Sequence, residues 1–395
     1  MGIKRKLKDY FNKREKLKIL KTNDIVNIEE YYVNNKTIVF ISKVFPTHDK
    51  DSGSNRIKEI ILQYRKLGFN CIICVEKIFE DNLYVQFYKK NNCIVYVESP
   101  KYKSVFQFLQ NLPKVDFYWY NGAETFDEYF SKTKKINPTS TTIYDMVDIH
   151  FLRIKRAIEL QPTSVQLQKE YKKFYEIETQ KSKQADKIIA ISENEKLMMS
   201  EFLDDSKIVV ISNIHYPKIK IEERQSFENS KDIIFIGSVH EPNIDAVDFL
   251  YKEVMPKVWN YLPEIKVNII GNVIEKLDIS MYPKFNFLGF VENIDSYFKE
   301  NKIMVAPLRY GAGVKGKIGQ AFEFHLPVVT TEIGAEGMNL VNNQNALIEN
   351  NANDFADAII KLNNDKRLWE TLSQNAEGSL KPFLLANVSE KIKTL

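Results

Sequence analysis

Residues 305–338, VAPLRYGAGVKGKIGQAFEFHLPVVTTEIGAEGM, read as strand, glycine-rich turn, helix, strand and second glycine turn. The apolar run from Met304 to Leu308 ends at Arg309. The turn Gly311-Ala312-Gly313 then leads into a helix expected to start near Lys315 and to stop before Pro327. Backbone N–H groups at a helix start, with ammonium groups beside them, suit a diphosphate. Most glycine turns only connect elements, but Arg309, Lys315 and Lys317 around this one point to an anion. Gly311 to Lys317 also fits the G-x-x-x-x-G-K part of a P-loop. Ile318 stands where the magnesium-holding Ser or Thr belongs, which argues against nucleotide hydrolysis by that motif.

Outward from this stretch, apolar runs of four to six residues alternate with longer helical patterns from Thr37 onward, as in parallel sheets covered by helices. The expected strands are Ile38–Ile41, Cys71–Val75, Ile94–Val97, Phe117–Tyr120, Thr142–Tyr144, Ile188–Ile191 and Val209–Ile211, then Ile233–Ile236, Val267–Ile270, Phe285–Leu288, Met304–Pro307 and Val328–Thr330. At 395 residues two domains fit better than one core. The expected fold class is α/β, with two doubly wound Rossmann-like domains facing across a cleft. Residues 36–212 form the first domain, 213–230 a polar linker with Pro217, 231–375 the second domain, and 376–395 a last helix that returns to the first. Ligands of open parallel sheets bind at the carboxyl ends of the strands. Those ends present Gly237, Gly271, Gly289-Phe290-Val291 and the opening motif in the second domain, and Phe45 to Arg56 and Asp145 to Arg153 in the first.

The 44% apolar and 27% charged fractions are those of a soluble globular protein. No run approaches the roughly twenty apolar residues that span a bilayer, and residues 1–35 lack the apolar segment of a signal peptide. The cytoplasm is therefore the expected location. Cys71, Cys74 and Cys93 fit a reducing compartment, and the C-x-x-C of the first two reads as strand core rather than as a metal or redox pair. Residues 1–21 hold nine Lys or Arg against Asp9 and Glu15, with apolar residues at near-helical spacing. This basic amphipathic arm suits an anionic membrane surface, which would place the protein peripherally on the inner face of the cell membrane; the alternative is a solvated arm. No further basic cluster interleaved with aromatics follows, so nucleic acid is not an expected partner.

FIGSVHEPNIDAVDFLYKEVMP, VNIIGN, FNFLGFVENI, MVAPLRYGAGVKGKIGQAFEFHLPVVTT and IGAEGM follow one another across residues 231–338 in the order and spacing of glycosyltransferase family 4, which this half resembles. The first half resembles the same GT-B fold more loosely, through IVFISKVFPTHDKDSGSNR, LGFNCIICV, IYDMVDIHFLR and KIIAISENEKLMM. The resemblance implies a second domain that holds a nucleotide-diphosphate sugar as substrate, with no cofactor and no metal, and a first domain that presents a glycan or lipid-linked acceptor. Gly237, Gly289, Phe290 and Val291 would then meet the nucleotide. Arg309, Gly311, Gly313, Lys315 and Lys317 would offset the diphosphate and steady the leaving group. Gln320, Glu323 and Glu336 would accept hydrogen bonds from ribose or sugar hydroxyls. In the first domain Gly53, Ser54, Arg56 and Arg153 form the acceptor-side loops, and either Asp148 or His150 takes the place of a donor-touching histidine.

Three departures from the family stand out. Where it commonly has E-A-M-A-x-G-x-P, Gln320 replaces the ribose-binding glutamate and His325 the glycine. The Arg and Lys usual after the first strand of the second domain are absent, with His240 nearby. Asp49-Lys50-Asp51 copies a D-x-D motif but sits in a polar loop without other metal-spaced ligands. The expected activity is retaining sugar transfer in cell-surface polysaccharide or glycoconjugate synthesis. The alternative is a non-catalytic GT-B scaffold or partner subunit.

Overall fold

The computed structural model describes residues 30–76, 82–99 and 101–395, so the basic stretch 1–21 lies outside the described residues. The first sheet holds β1 (Thr37–Ser42), β2 (Asn70–Val75), β3 (Ile94–Val95), β4 (Phe117–Asn121), β5 (Thr141–Asp145), β6 (Lys187–Ala190) and β7 (Ile208–Val210), ordered β3-β2-β1-β4-β5-β6-β7. The second holds β8 (Lys231–Ile236), β9 (Val267–Ile270), β10 (Phe285–Gly289), β11 (Asn301–Ala306), β12 (Val328–Thr330) and β13 (Leu347–Ile348), ordered β10-β9-β8-β11-β12-β13. Every pairing is parallel. Helices cover both faces, which is why strands such as TIVFIS and NCIICV are buried at each position instead of alternating. The two-residue β13 was not expected, because so short a strand leaves no period to read. Cys71, Cys74 and Cys93 are buried in the first domain.

In each sheet the order reverses beside the first strand, at β1/β4 and at β8/β11, which opens a crevice at the carboxyl ends. The chain passes between the sheets twice, side by side. His215 and Leu384 form a parallel bridge, with the His215 N–H donating to Phe383 O at 3.0 Å. Beyond the second crossing, the Leu385–Lys393 helix buries Val388 and Ile392 against Ile57, Ile60 and Ile61 of the Ser52–Lys66 helix. The polar stretch after β7 is not simply solvated. Arg224 is buried under the second domain and donates to the carbonyls of Phe298 at 2.7 Å, Asn301 at 2.5 Å and Lys299, which cap the end of the Asp295–Glu300 helix.

Candidate functional site

A cleft of ≈ 520 Å³ lies between the sheets. Its second-domain wall begins at the strand ends, where backbone bonds Gly237 N to Ile270 O (2.9 Å) and Gly271 N to Gly289 O (2.7 Å) tie β8, β9 and β10 together. Gly237, Phe290 and Val291 line that wall, and Phe290 is 61% exposed, a large apolar face open to a planar group. The Gly316–Phe322 helix adds Lys317 and Gln320, and Glu323 follows at its end. The opposite wall is Asp51, Ser52, Asn55 and Lys58 around the start of the Ser52–Lys66 helix, with the crossing residues His215, Tyr216 and Lys218 at the side. Close approach of these walls needs glycine. A Cβ at Gly316 would fall 2.4 Å from Ser52 Cβ, and one at Gly319 would fall 2.2 Å from His215 Nε2.

The lysines divide the expected anion site. Lys317 faces the cleft, its Nζ 2.5 Å from Asn243 Oδ1 and 4.5 Å from the Phe235 ring centre. Burial, then the neighbouring Lys315, pushes its pKa down to about 7. Lys315 turns back onto its own loop, donating to the carbonyls of Ala312 (3.0 Å) and Gly313 (2.5 Å), and burial lowers its pKa to about 8. Two expected ligands are committed elsewhere. Arg309 makes a two-pronged pair with Asp245 (3.0 and 2.5 Å) and is not in the cleft wall, because that acidic helix neighbour captures its guanidinium. Glu336 is held by Arg156 of the first domain at 2.8 and 2.5 Å, and the same Arg156 donates to Gly311 O at 2.7 Å.

The first-domain residues also separate. Arg56 is not an acceptor-loop residue: it is 1% exposed, pairs with Asp145 at 2.8 and 3.0 Å, and donates to Ile211 O at 3.0 Å. Asp145 accepts in addition from Trp119 Nε1 at 3.0 Å. Gly53 and Ser54 sit in the first turn of the helix, where Asp51 caps Ser54 N and Oγ at 2.7 Å each; Asp51 and Ser52 are the ones that reach the cleft. Past β5, Val147 has φ +58, a left-handed conformation that a β-branched residue rarely adopts. That bend presents Asp148 to the glycine turn, 3.1 Å from where a Gly313 Cβ would be. Burial alone would raise the Asp148 pKa, but His150, Arg153, His240 and Lys315 hold it below the usual carboxylate range. His150 is committed through Nδ1 to Glu178 Oε1 (2.8 Å) and Asp148 Oδ1 (3.1 Å) and stacks on Phe174, while Arg153 pairs with Asp148 at 2.6 Å. Asp148, His150 and Arg153 therefore form a seam beside the cleft rather than its wall. His240 is exposed and does not line the cleft, so it does not stand in for the missing cations there.

Sequence reading missed His215, Tyr216, Arg156 and Glu195. His215 meets Glu323 across a separation of 108 residues, and no periodicity reports such a contact. His325 is explained: it occupies φ +54 past the Gly316–Phe322 helix, the conformation that favours glycine. Ser373 steadies it there, with Nδ1 3.0 Å from Ser373 O and Ser373 Oγ donating to His325 O at 2.7 Å.

Comparison with known proteins adds the class. The structure is similar to HepE of Anabaena in complex with UDP and glucose, at 13% identity over 90% of this chain and 98% of that one, with a TM-score of 0.67. It is also similar to sucrose-phosphate synthase from Thermosynechococcus elongatus (14% identity, 91% and 98% covered, TM-score 0.68). A variant of S. aureus TarM in complex with Fondaparinux, α-GlcNAc-glycerol and UDP is similar too (14%, 91% and 99%, TM-score 0.67). These likenesses define the fold as GT-B. Residues 230–365 match the model of the family described as Glycosyl transferases group 1, and with the fold this supports a glycosyltransferase. The chain is also 29% identical over 157 residues to an uncharacterised protein in the cps region of Klebsiella pneumoniae. That stretch is 37% of this chain and spans only 40% of the relative's length.

Proposed function

We propose that this protein transfers a sugar from a nucleotide-diphosphate donor to a glycan or lipid-linked acceptor in polysaccharide synthesis, with retention of the donor's anomeric configuration and without a metal or other cofactor. The observation that carries the reading is Lys317. It is a part-buried lysine facing a cleft between the carboxyl ends of two parallel sheets, inside the stretch that matches group 1 glycosyl transferases. The UDP held by similar folds makes uridine diphosphate sugars the first donors to try, and the cps-region relative favours a polysaccharide acceptor. Retention rests on the resemblance to family 4. In this reading Lys317 offsets charge on the diphosphate as it leaves, Phe290 and Val291 meet the base, and Glu323 accepts from a hydroxyl.

The scaffold reading retains one observation, the amide of Gln320 in the cleft wall where family 4 has a carboxylate. His325 no longer supports it, since that residue has a backbone reason. The test is a melting screen of the purified protein against UDP, GDP, ADP and dTDP sugars. A bound donor at about a hundredfold excess over Kd adds about 2.7 kcal/mol to stability and raises Tm. A UDP sugar should do so, with slow release of free sugar. A panel in which none of these nucleotides shifts Tm would remove the assignment, and binding without any sugar release would favour the scaffold.

A further inference from the structure

We infer that His215, on the crossing between the two domains, is a positioning residue that aims the Glu323 carboxylate into the cleft; this rests on the reading above, that the cleft takes a nucleotide sugar. Three residues of the crossing, His215, Tyr216 and Lys218, grip Glu323. His215 Nδ1 lies 2.8 Å from Glu323 Oε1, Tyr216 N–H donates to the same oxygen at 3.1 Å, and Lys218 N–H donates to the Glu323 carbonyl at 2.8 Å. Two donors converge on Oε1, so Oε2 is the oxygen left for a ligand in the cleft that Glu323 lines.

The ring has little freedom to do otherwise. His215 is 2% exposed, its backbone N–H is fixed to Phe383 O at 3.0 Å, and its ring meets Phe383 edge-on at 6.0 Å. Nε2 is buried without a hydrogen-bond partner, against Gly319, where any side chain would collide with it. A buried N–H without an acceptor is costly, so the ring proton belongs on Nδ1, where the carboxylate accepts it. Position 323 thus supplies, one helical turn after the neutral Gln320, an acceptor with a fixed direction. Its chemistry suits a hydroxyl of the ribose or of the transferred sugar.

The experiment compares wild type with H215A, H215N, H215Q, E323Q and the double H215A/E323Q in the full-length protein. Each variant is measured for Tm, for UDP affinity by calorimetry and for UDP-glucose cleavage. The Asn amide nitrogen overlays Nδ1 and keeps the donor, whereas the Gln amide reaches past it. H215A, H215Q and E323Q should each lose about tenfold or more in UDP affinity or in kcat/KM, H215N should stay within about threefold, and the double variant should be no worse than E323Q alone. Loss in UDP affinity assigns the hydroxyl to ribose; loss confined to UDP-glucose turnover assigns it to the sugar. Should H215A fail to fold, H215N against H215Q carries the comparison, since both fill the site. The inference is overturned if H215N is as impaired as H215Q, or if the two single losses multiply in the double variant. It also falls alone if wild type binds and cleaves while H215A and E323Q match it. If wild type binds neither UDP nor UDP-glucose, the donor assignment fails with it, and no variant is needed to see that.

Discussion

Lys317 sits part-buried against Asn243 and the Phe235 ring, where partial loss of water disfavours its charged form. With its pKa lowered to about 7, the folded state binds fewer protons than the unfolded chain between about pH 7 and the ordinary lysine value of 10.5, so this group makes stability rise with pH across that window. A diphosphate beside Nζ would restore the charge and draw in a proton. Lys317→Met is therefore expected to leave Tm near pH 7 unchanged or higher, while UDP affinity falls about tenfold or more. Calorimetry of wild type in buffers of different ionisation enthalpy should show proton uptake on binding; a lack of uptake would mean that Lys317 does not meet the anion. Glu195 has the opposite sign. Burial, then Asp148, raises its pKa from 4.5 to about 8, so the folded state holds a proton that the unfolded chain releases. Its contribution is full below about pH 4.5 and is lost as pH rises through about 8. Glu195→Gln should flatten the fall of Tm between those limits, and a fall of unchanged slope would assign the titration to another group.

At the scale of elements, the Ser52–Lys66 helix is pinned to the end of β5 by Arg56 and Asp145, with exposures of 1% and 0%. Removing one member strands the other charge in the interior. Arg56→Ala should cost about 3–5 kcal/mol, read as a lower urea midpoint. A loss under about 1 kcal/mol would show that water reaches Asp145. The Gly316–Phe322 helix illustrates what was readable and what was not. Its start and end followed from the glycine turn and Pro327, and its lysines were picked out by charge. Which lysine faces the cleft depended on neighbours in other elements: Asn243 holds one at the cleft, and the carbonyls of Ala312 and Gly313 fold the other back. The partner of Arg309 was out of reach of the sequence for the same reason, since Asp245 lies 64 residues away.

Across the whole molecule, Arg156 bridges the domains through Glu336 and Gly311 O, beside the Asp148 seam. Both side chains are mostly buried, at 17% and 25% exposure, so the pair outweighs a surface bridge. Arg156→Ala should weaken the closed arrangement by about 1 kcal/mol, seen as a larger radius of gyration by small-angle scattering, and UDP should reverse the change. An unchanged radius would leave closure to the packing of Gly313, Gly316 and Gly319 against the first domain and the crossing.

Local chemistry was enough to determine the alternation of apolar runs and helices, hence two parallel sheets, and to locate the glycine turn and lysines at a strand end, because these patterns arise between neighbours in the chain. The partners of each charge were settled only by the tertiary structure. Arg56 went to the core, Arg309 and Glu336 to ion pairs, and His215 to Glu323, because a polar or charged group that loses water on folding takes whatever counter-charge or hydrogen bond the folded chain brings within reach, however distant in sequence.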